Sequence, residues 1–352
     1  AAWSGDRNPL HVDPAAARRS VFGQPVIHGM LTTIRALATA KARPISSLDI
    51  EFRQAAYPDR TYSLEVTGDG SGDTVTLRAG DETISVIRTN GAPGIDRPVD
   101  TAWIAGAQQQ RATLSGVREE PADLDQEELA QPRELIAVYE ATATPSEYVA
   151  GGGLRPIQAR VLALCSYVIG MEMPGLRSLF TRLRISFSHD VRDARELLYR
   201  ARTVRFDRQF RLLDIQLDAA TPDGAHVATA DLRAYVRFTP LQIAPKATAQ
   251  HLSADARHRL SGKIALVVGG SRGLGGELTA ALAMSGARVY ASYHADREAV
   301  AELERSLTDA GVSVEFLQGD AADRRWCEAA VARILDAHGR LDVLVLNECA
   351  AP

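Results

Sequence analysis

Hydrophobic and polar positions along the chain change their period repeatedly, and each change predicts a different unit. Over residues 25–40, Ile27, Met30, Leu31, Ile34, Leu37 and Ala38 recur at three- and four-residue steps, which predicts a helix with one apolar face. Alternating segments at 47–52, 62–66, 74–77 and 83–87 then predict four antiparallel strands, separated by turns such as Gly68-Asp69-Gly70. A sheet wrapping a central helix makes residues 1–95 the first unit. Residues 96–133 hold Pro98, Pro121 and a Gln108-Gln109-Gln110 run, and read as a connector with only short regular pieces.

From 134 to 238 the same order of elements recurs. A strand is predicted at 135–139, then a helix at 156–171 with Ile157, Val161, Leu164, Val168 and Ile169 on its apolar side. Alternating strands follow at 179–187, 196–204, 210–217 and 226–238. Residues 239–262 are rich in Pro, Ala, Gln and Ser and read as an interdomain linker. From 263 to 352 the pattern becomes strand, glycine turn, helix, strand. The continuous apolar run Ile264-Ala265-Leu266-Val267-Val268 is of the kind buried in a parallel sheet. Further strands fall at 288–292, 312–317 and 341–346, with helices at 298–310 and 327–338 between them, the first half of a doubly wound nucleotide-binding fold.

Charge and composition narrow the function. A net charge of −4 excludes a general binder of nucleic acid or of an anionic membrane. The longest apolar runs are strand-sized, far short of a membrane span, and no signal peptide opens the chain, so a cytoplasmic protein is expected. Cys165, Cys327 and Cys349 are too scattered for a disulfide framework or a metal site, and Cys165 reads as a small buried hydrophobe. Both ends read as cut, the first inside one motif and the last inside another.

The first of those motifs is Ser4-Gly5-Asp6-Arg7-Asn8-Pro9-Leu10-His11, followed by Pro25-Val26-Ile27-His28-Gly29-Met30. It sets an acid and an imidazole five residues apart on a loop shaped by glycine and proline, ahead of a helix that opens at a His-Gly step. An Asp and a His that share one water can hold both proton roles of a hydration, and free N–H groups at a helix start can stabilise a developing oxyanion. Taken singly, Asp6 and Asn8 read as an Asx-turn pair and His11 as a partly buried polar packer. His28 reads as fixing the helix start by hydrogen bonding.

The whole string resembles the hydratase-2 motif of MaoC-like (R)-specific enoyl-CoA hydratases and dehydratases. The resemblance implies a double hotdog, one copy bearing the motif and one free of it. In that family the motif commonly sits in the C-terminal copy; here it sits in the N-terminal one. It implies a substrate of the 3-hydroxyacyl or 2-enoyl thioester class, on CoA or on a carrier protein, handled without metal or cofactor. It also implies catalytic roles for Asp6 and His11, an orienting role for Asn8, and an oxyanion role for the Gly29 N–H. In the second copy Arg182, Arg184, Arg200, Arg202 and Arg205 read either as the solvated outer face of the sheet or as a basic rim for substrate phosphates.

The second motif is Gly269-Gly270-Ser271-Arg272-Gly273-Leu274-Gly275, between a strand and a helix, where glycines allow backbone to approach a pyrophosphate. It resembles the fingerprint of short-chain dehydrogenases/reductases, with Val268 in place of the usual Thr. The resemblance implies cofactor-binding roles for Gly269, Ser271, Arg272, Gly273, Leu274, Gly275, Asp320, Ala321 and Asn347. No acid stands at Ser292-Tyr293-His294 to bind a ribose diol, and Arg272 is placed for a 2′-phosphate, so NADP is favoured over NAD. The family's Asn-Asn-Ala-Gly step reads Leu346-Asn347-Glu348-Cys349 here, and its catalytic Ser and Tyr-x-x-x-Lys would lie beyond the last residue.

The fold class expected is therefore an α+β double hotdog followed by an incomplete α/β Rossmann-type, short-chain dehydrogenase/reductase-like domain. The function expected is a hydratase or dehydratase joined to a 3-ketoacyl reductase-type domain. A hotdog thioesterase and a non-catalytic acyl-binding scaffold are the alternatives. Homodimerisation through the nucleotide-binding domain is compatible with the sequence but not required.

Overall fold

The structure is a computed structural model that describes residues 3–18, 20–40, 44–68, 70–90, 95, 99–140, 153–189, 191–238 and 258–347. Most of the expected linker, together with Asp69, Pro98, Glu348 and Cys349, lies outside the described residues. The chain divides into two units, Ala1–Phe238 and Thr239–Pro352.

In the first unit the short helices α1 (Pro9–Val12) and α2 (Pro14–Arg18) precede α3 (Gly29–Thr39) and the strands β1 (Ser47–Phe52), β2 (Ser63–Gly68), β3 (Asp73–Ala79) and β4 (Glu82–Thr89). The second copy supplies β5 (Glu134–Glu140), β6 (Ser178–Phe187), β7 (Glu196–Asp207), β8 (Leu212–Ala220) and β9 (His226–Val236). All nine form one antiparallel sheet in the order β2-β3-β4-β1-β6-β9-β8-β7-β5. The copies join where β1 pairs with β6, Ile50 opposite Leu183. One hydrophobic core runs through both, with Met30, Ile34 and Leu37 of α3 in the same cluster as Val161, Leu162 and Leu164 of the second copy's helix.

Several expected bounds shift, among them these. The helix predicted from residue 25 starts at Gly29, because the N–H groups of Val26 and Ile27 are already given to Leu10 O (3.2 Å) and Ala56 O (2.7 Å) and the segment runs extended. The strand predicted from 210 starts at Leu212, since Asp207 to Arg211 make a turn in which Arg211 has φ +55° and the Phe210 N–H donates to Asp207 Oδ1. The connector is more ordered than predicted. It carries α4 (Ala102–Gln110), whose Trp103, Ile104 and Ala107 pack on Leu198 and Ala220. It also carries α5 (Gln126–Ala130), closed by a capping box between Asp125 and Glu128.

The second copy's helix, α6 (Pro156–Tyr167), is buried on every side from Ile157 to Tyr167 and passes into a π-helical turn at Val168–Glu172. Its polar residues are each answered. Gln158 Nε2 donates to Ile45 O at 2.7 Å, and Arg160 donates to Ala194 O at 2.8 Å and pairs with Asp193.

The second unit holds β10 (Ile264–Val268), α7 (Gly273–Met284), β11 (Arg288–Tyr293), α8 (Arg297–Asp309), β12 (Val314–Gln318), α9 (Arg324–His338) and β13 (Val343–Leu346). The strands are parallel, in the order β12-β11-β10-β13. β10 is covered on both faces. Ile264 and Leu266 pack with Ala330 and Ile334, while Ala265 and Val267 pack with Ala283 and Val289, which is why its apolar run is unbroken. Among the described residues no helix is long and apolar enough to cross a membrane.

Candidate active site

The Ser4–His11 segment folds through its own side chains. Asp6 Oδ1 accepts from the Asn8 N–H at 3.1 Å, an Asx turn. Asn8 Oδ1 in turn accepts from the Leu10 N–H at 3.1 Å and caps α1, with Pro9 at its first position. That single helical turn presents His11. The His11 Nδ1 lies 2.8 Å from Val26 O, and since a carbonyl only accepts, Nδ1 carries the hydrogen and neutral His11 keeps its lone pair on Nε2. The ring of His28 stacks on that of His11, centroids 3.8 Å apart and planes at 27°. His28 precedes α3 and does not cap it with its side chain; the hydrogen bond it makes is from Nε2–H to the backbone oxygen of Asp6 at 3.1 Å.

The second copy closes the site. Ser166 Oγ donates to Asp6 Oδ2 at 2.9 Å, and Tyr139 donates its hydroxyl to Ser4 O at 2.9 Å. Gly170, in the π-helical turn, makes room for the carboxylate: a Cβ there would stand 2.2 Å from Asp6 Oδ1. The Asn8 side-chain amide lies within donating distance of Gly170 O, Gly175 O, Leu176 O and Ser178 Oγ, at 3.0 to 3.4 Å. It thus binds the second copy, and what Asn8 gives Asp6 comes from its backbone N–H. Composition and spacing of the first motif carried no sign of Ser166 or Gly170; both sit in an apolar helical run whose period reports only burial.

Burial dominates the electrostatics. It pushes the Asp6 carboxyl up, against the pull of His11, the Asn8 N–H and the Ser166 hydroxyl. It pushes His11 down, against the pull of Asp6. His28 is driven from 6.5 to about 2, chiefly by burial, so it stays neutral throughout any working range. Asp6, His11 and His28 offer three ligand-type atoms within 4.8 Å of one another, but the hydrogen on His28 Nε2 makes that atom a donor rather than a ligand. At the start of α3, the Gly29 and Met30 N–H groups find no acceptor within the helix. Gly29 itself faces Phe52, whose ring would lie 2.8 Å from an added Cβ.

The arginines of the second copy are held by acidic or amide neighbours on the sheet, which favours the sheet-face reading over the basic rim. Arg182 holds Asp49 (2.8 Å), Arg184 Asp231 (3.3 Å) and Arg205 Asp207 (2.8 Å), while Arg202 donates to Gln216 (3.0 Å). Arg200 departs from the solvated-face reading: it is buried between Asp218 and Asp100.

In the second unit the glycine loop joins β10 to α7. Gly269 and Gly273 take φ of +71° and +52°, and a Cβ on Gly275 would lie 2.0 Å from Gly269 O. Ser292, near the end of β11, holds the loop, accepting from the Gly269 N–H at 3.0 Å. Asn347 Nδ2 donates to Gly269 O at 3.3 Å from the end of β13. Ser271 is buried, whereas Arg272 and Leu274 are exposed and Arg272 has no carboxylate partner among the described residues. Asp320 and Ala321 follow β12, with Asp320 Oδ1 accepting from the Ala322 N–H at 2.9 Å. These residues therefore gather at the carboxyl ends of β10, β12 and β13, the edge at which doubly wound sheets take ligands.

Comparison with known proteins agrees with both halves. Residues 1–87 match the family described as MaoC like domain, and residues 263–350 the family described as short chain dehydrogenase. The chain joins a MaoC-like hotdog domain to a short-chain dehydrogenase domain. General stress protein 39 of Bacillus subtilis (strain 168) is 33% identical over 89 residues, covering 25% of this chain and 31% of that protein. Enoyl-CoA hydratase ChsH3 of Mycobacterium tuberculosis is 36% identical over 73 residues, 19% of this chain and 26% of its own. A solved structure described as a MaoC-like dehydratase aligns with a TM-score of 0.43 at 14% identity, over 67% of this chain and 91% of that one. The chain spans about a third of the length of the curated relatives first matched.

Proposed function

We propose that the first unit adds water to, or removes it from, the 2,3 bond of a 3-hydroxyacyl/2-enoyl thioester carried on CoA or a carrier protein. The second unit, on this reading, binds NADP(H) as part of a 3-ketoacyl reductase-type domain. The observation that carries the hydratase reading is the buried Asp6 carboxyl and the half-buried His11 imidazole, with ligand-type atoms within 4.8 Å of each other beside the open start of α3. The similarity to an enoyl-CoA hydratase of M. tuberculosis supports the same substrate class.

The geometry supports a specific division of labour. Burial pushes the Asp6 carboxyl up and the His11 imidazole down, and on this reading Asp6 enters as the acid and His11 as the base. His11 Nε2 takes a proton from water as its oxygen bonds to C3. The thioester oxygen gathers charge against the Gly29 N–H, and C2 takes the Asp6 proton. Return of the proton from His11 to Asp6 resets the pair, so the net change is one water added; dehydration runs the same steps backwards.

The residues of the glycine loop fit a dinucleotide. Backbone N–H groups from Ser271 to Gly275 at the start of α7 would hold a pyrophosphate, Arg272, which has no carboxylate partner among the described residues, a 2′-phosphate, and Asp320 and Ala321 the adenine. When bound, the nucleotide supplies a hydride. The test of the hydratase reading is the enoyl-thioester absorbance on adding crotonyl-CoA. Loss of the band in the parent chain, abolished in Asp6→Asn and His11→Ala, is expected. Parental rates in either variant would overturn the site.

A further inference from the structure

We propose that His28 is a positioning residue that ties the Asp6–His11 pair to the open N-terminus of α3, so that proton transfer and oxyanion binding are aligned by one side chain. The proposal rests on the hydratase reading above. His28 occupies the N-cap position of α3, with φ −58° and ψ 127°. A polar side chain there normally accepts from the helix's own first N–H groups. His28 makes no such bond and turns inward, donating Nε2–H to Asp6 O at 3.1 Å. The helix N-terminus is thereby left open at Gly29, the residue immediately following.

The Asp6–Arg7 peptide is held from both ends. Its oxygen accepts from His28, and its N–H donates to the Met171 sulfur at 3.2 Å. The carboxylate that this backbone carries is therefore fixed by α3 on one side and by the second copy on the other. The His28 ring also lies under His11, and its Nε2 stands 3.7 Å from Asp6 Oδ2. Rotation of His11 about its own axis is restricted by that stack and by the bond from Nδ1 to Val26 O. His28 cannot itself accept the water proton through Nε2, which already carries one. It acts through Asp6 and His11, and its neutrality keeps the stack free of repulsion when His11 is charged.

Two substitutions separate the parts. His28→Gln keeps an N–H donor of similar reach and loses the ring; His28→Phe keeps the ring and loses the donor. With crotonyl-CoA, kcat of His28→Phe is expected to fall about 10²-fold, the effect of a small misplacement of reacting groups, with KM nearly unchanged. His28→Gln is expected to recover most of that loss. Nitrogen-15 spectra of the parent chain supply a readout that needs no variant to fold: His28 should stay neutral with its hydrogen on Nε2 between about pH 5 and 9, across which an ordinary His titrates. Parental kcat in His28→Phe, a Gln variant no better than Phe, or a titrating or Nδ1-protonated His28 would each overturn the proposal. A parent chain inert toward crotonyl-CoA that still shows the Nε2 hydrogen would remove the short-chain CoA ester as its substrate while supporting the tether.

Discussion

In the first hotdog copy α3 buries one face, through Met30, Ile34 and Leu37, and β2 lies largely open to solvent. In the second, every residue of α6 after Pro156 is buried and β7 to β9 carry long stretches of core. The copy that bears the motif is thus the thinner one, and the copy without it is the better packed. The contacts show how the difference is used. Ser166, Gly170, Met171, Gly175 and Leu176 of the second copy hold the loop of the first through Asp6, Arg7 and Asn8. A copy that lacks the Asp-x-Asn-Pro-x-His string still shapes the site, because a short loop cannot position a carboxylate without rigid partners around it.

The comparison breaks most sharply at the proposed acid–base pair. Asp6→Asn and His11→Ala are each expected to lower kcat for crotonyl-CoA by about 10²- to 10⁴-fold, the usual contribution of a general acid or base, with the far-UV spectrum unchanged. Gly170→Ala tests whether the second copy matters to chemistry: its Cβ would meet Asp6 Oδ1 at 2.2 Å, and a loss of about 10²-fold in kcat is expected. A parental rate in that variant would reduce the second copy to a bystander.

Asp218→Ala probes the opposite role. Asp218 is buried and accepts from Arg200 at 3.1 Å and Thr229 at 3.0 Å, so removing it is expected to destabilise the fold by about 3 kcal/mol in urea titrations while kcat of the folded fraction stays parental. The smallest effect belongs to the outer face, where Arg205→Ala should change stability by less than about 0.5 kcal/mol.

Stability against pH separates the two kinds of buried group. His28 is held from 6.5 down to about 2, so below pH 6.5 the unfolded chain takes up a proton that the folded chain refuses. Its contribution therefore removes about 1.4 kcal/mol per pH unit as pH falls below 6.5, and His11 acts with the same sign. Asp6, whose carboxyl is raised, acts with the opposite sign: its contribution is present at low pH and lost as pH rises through its folded value. Urea midpoints of the parent and of His28→Phe between about pH 7 and 5 isolate the first effect, the parent losing more stability on acidification. Parallel curves would mean that His28 is not buried as a neutral donor.

Much of the architecture was legible because local rules survive folding. The period of α3, the unbroken run of β10 on a two-sided sheet, and the Asp6 and Asn8 turn chemistry all follow from residues within a few positions of one another. The sequence by itself determined the double set of elements, the Asp-x-Asn-Pro-x-His loop, and the glycine turn of the second unit. Only the tertiary structure decided that His28 turns toward Asp6 rather than capping its helix, that Arg200 is buried rather than solvated, and that Ser166 and Gly170 flank the carboxylate. The reason is distance along the chain. Ser166 lies 160 residues from Asp6, and contacts of that separation are set by how the two copies' helices and strands pack, which no local period or turn preference encodes.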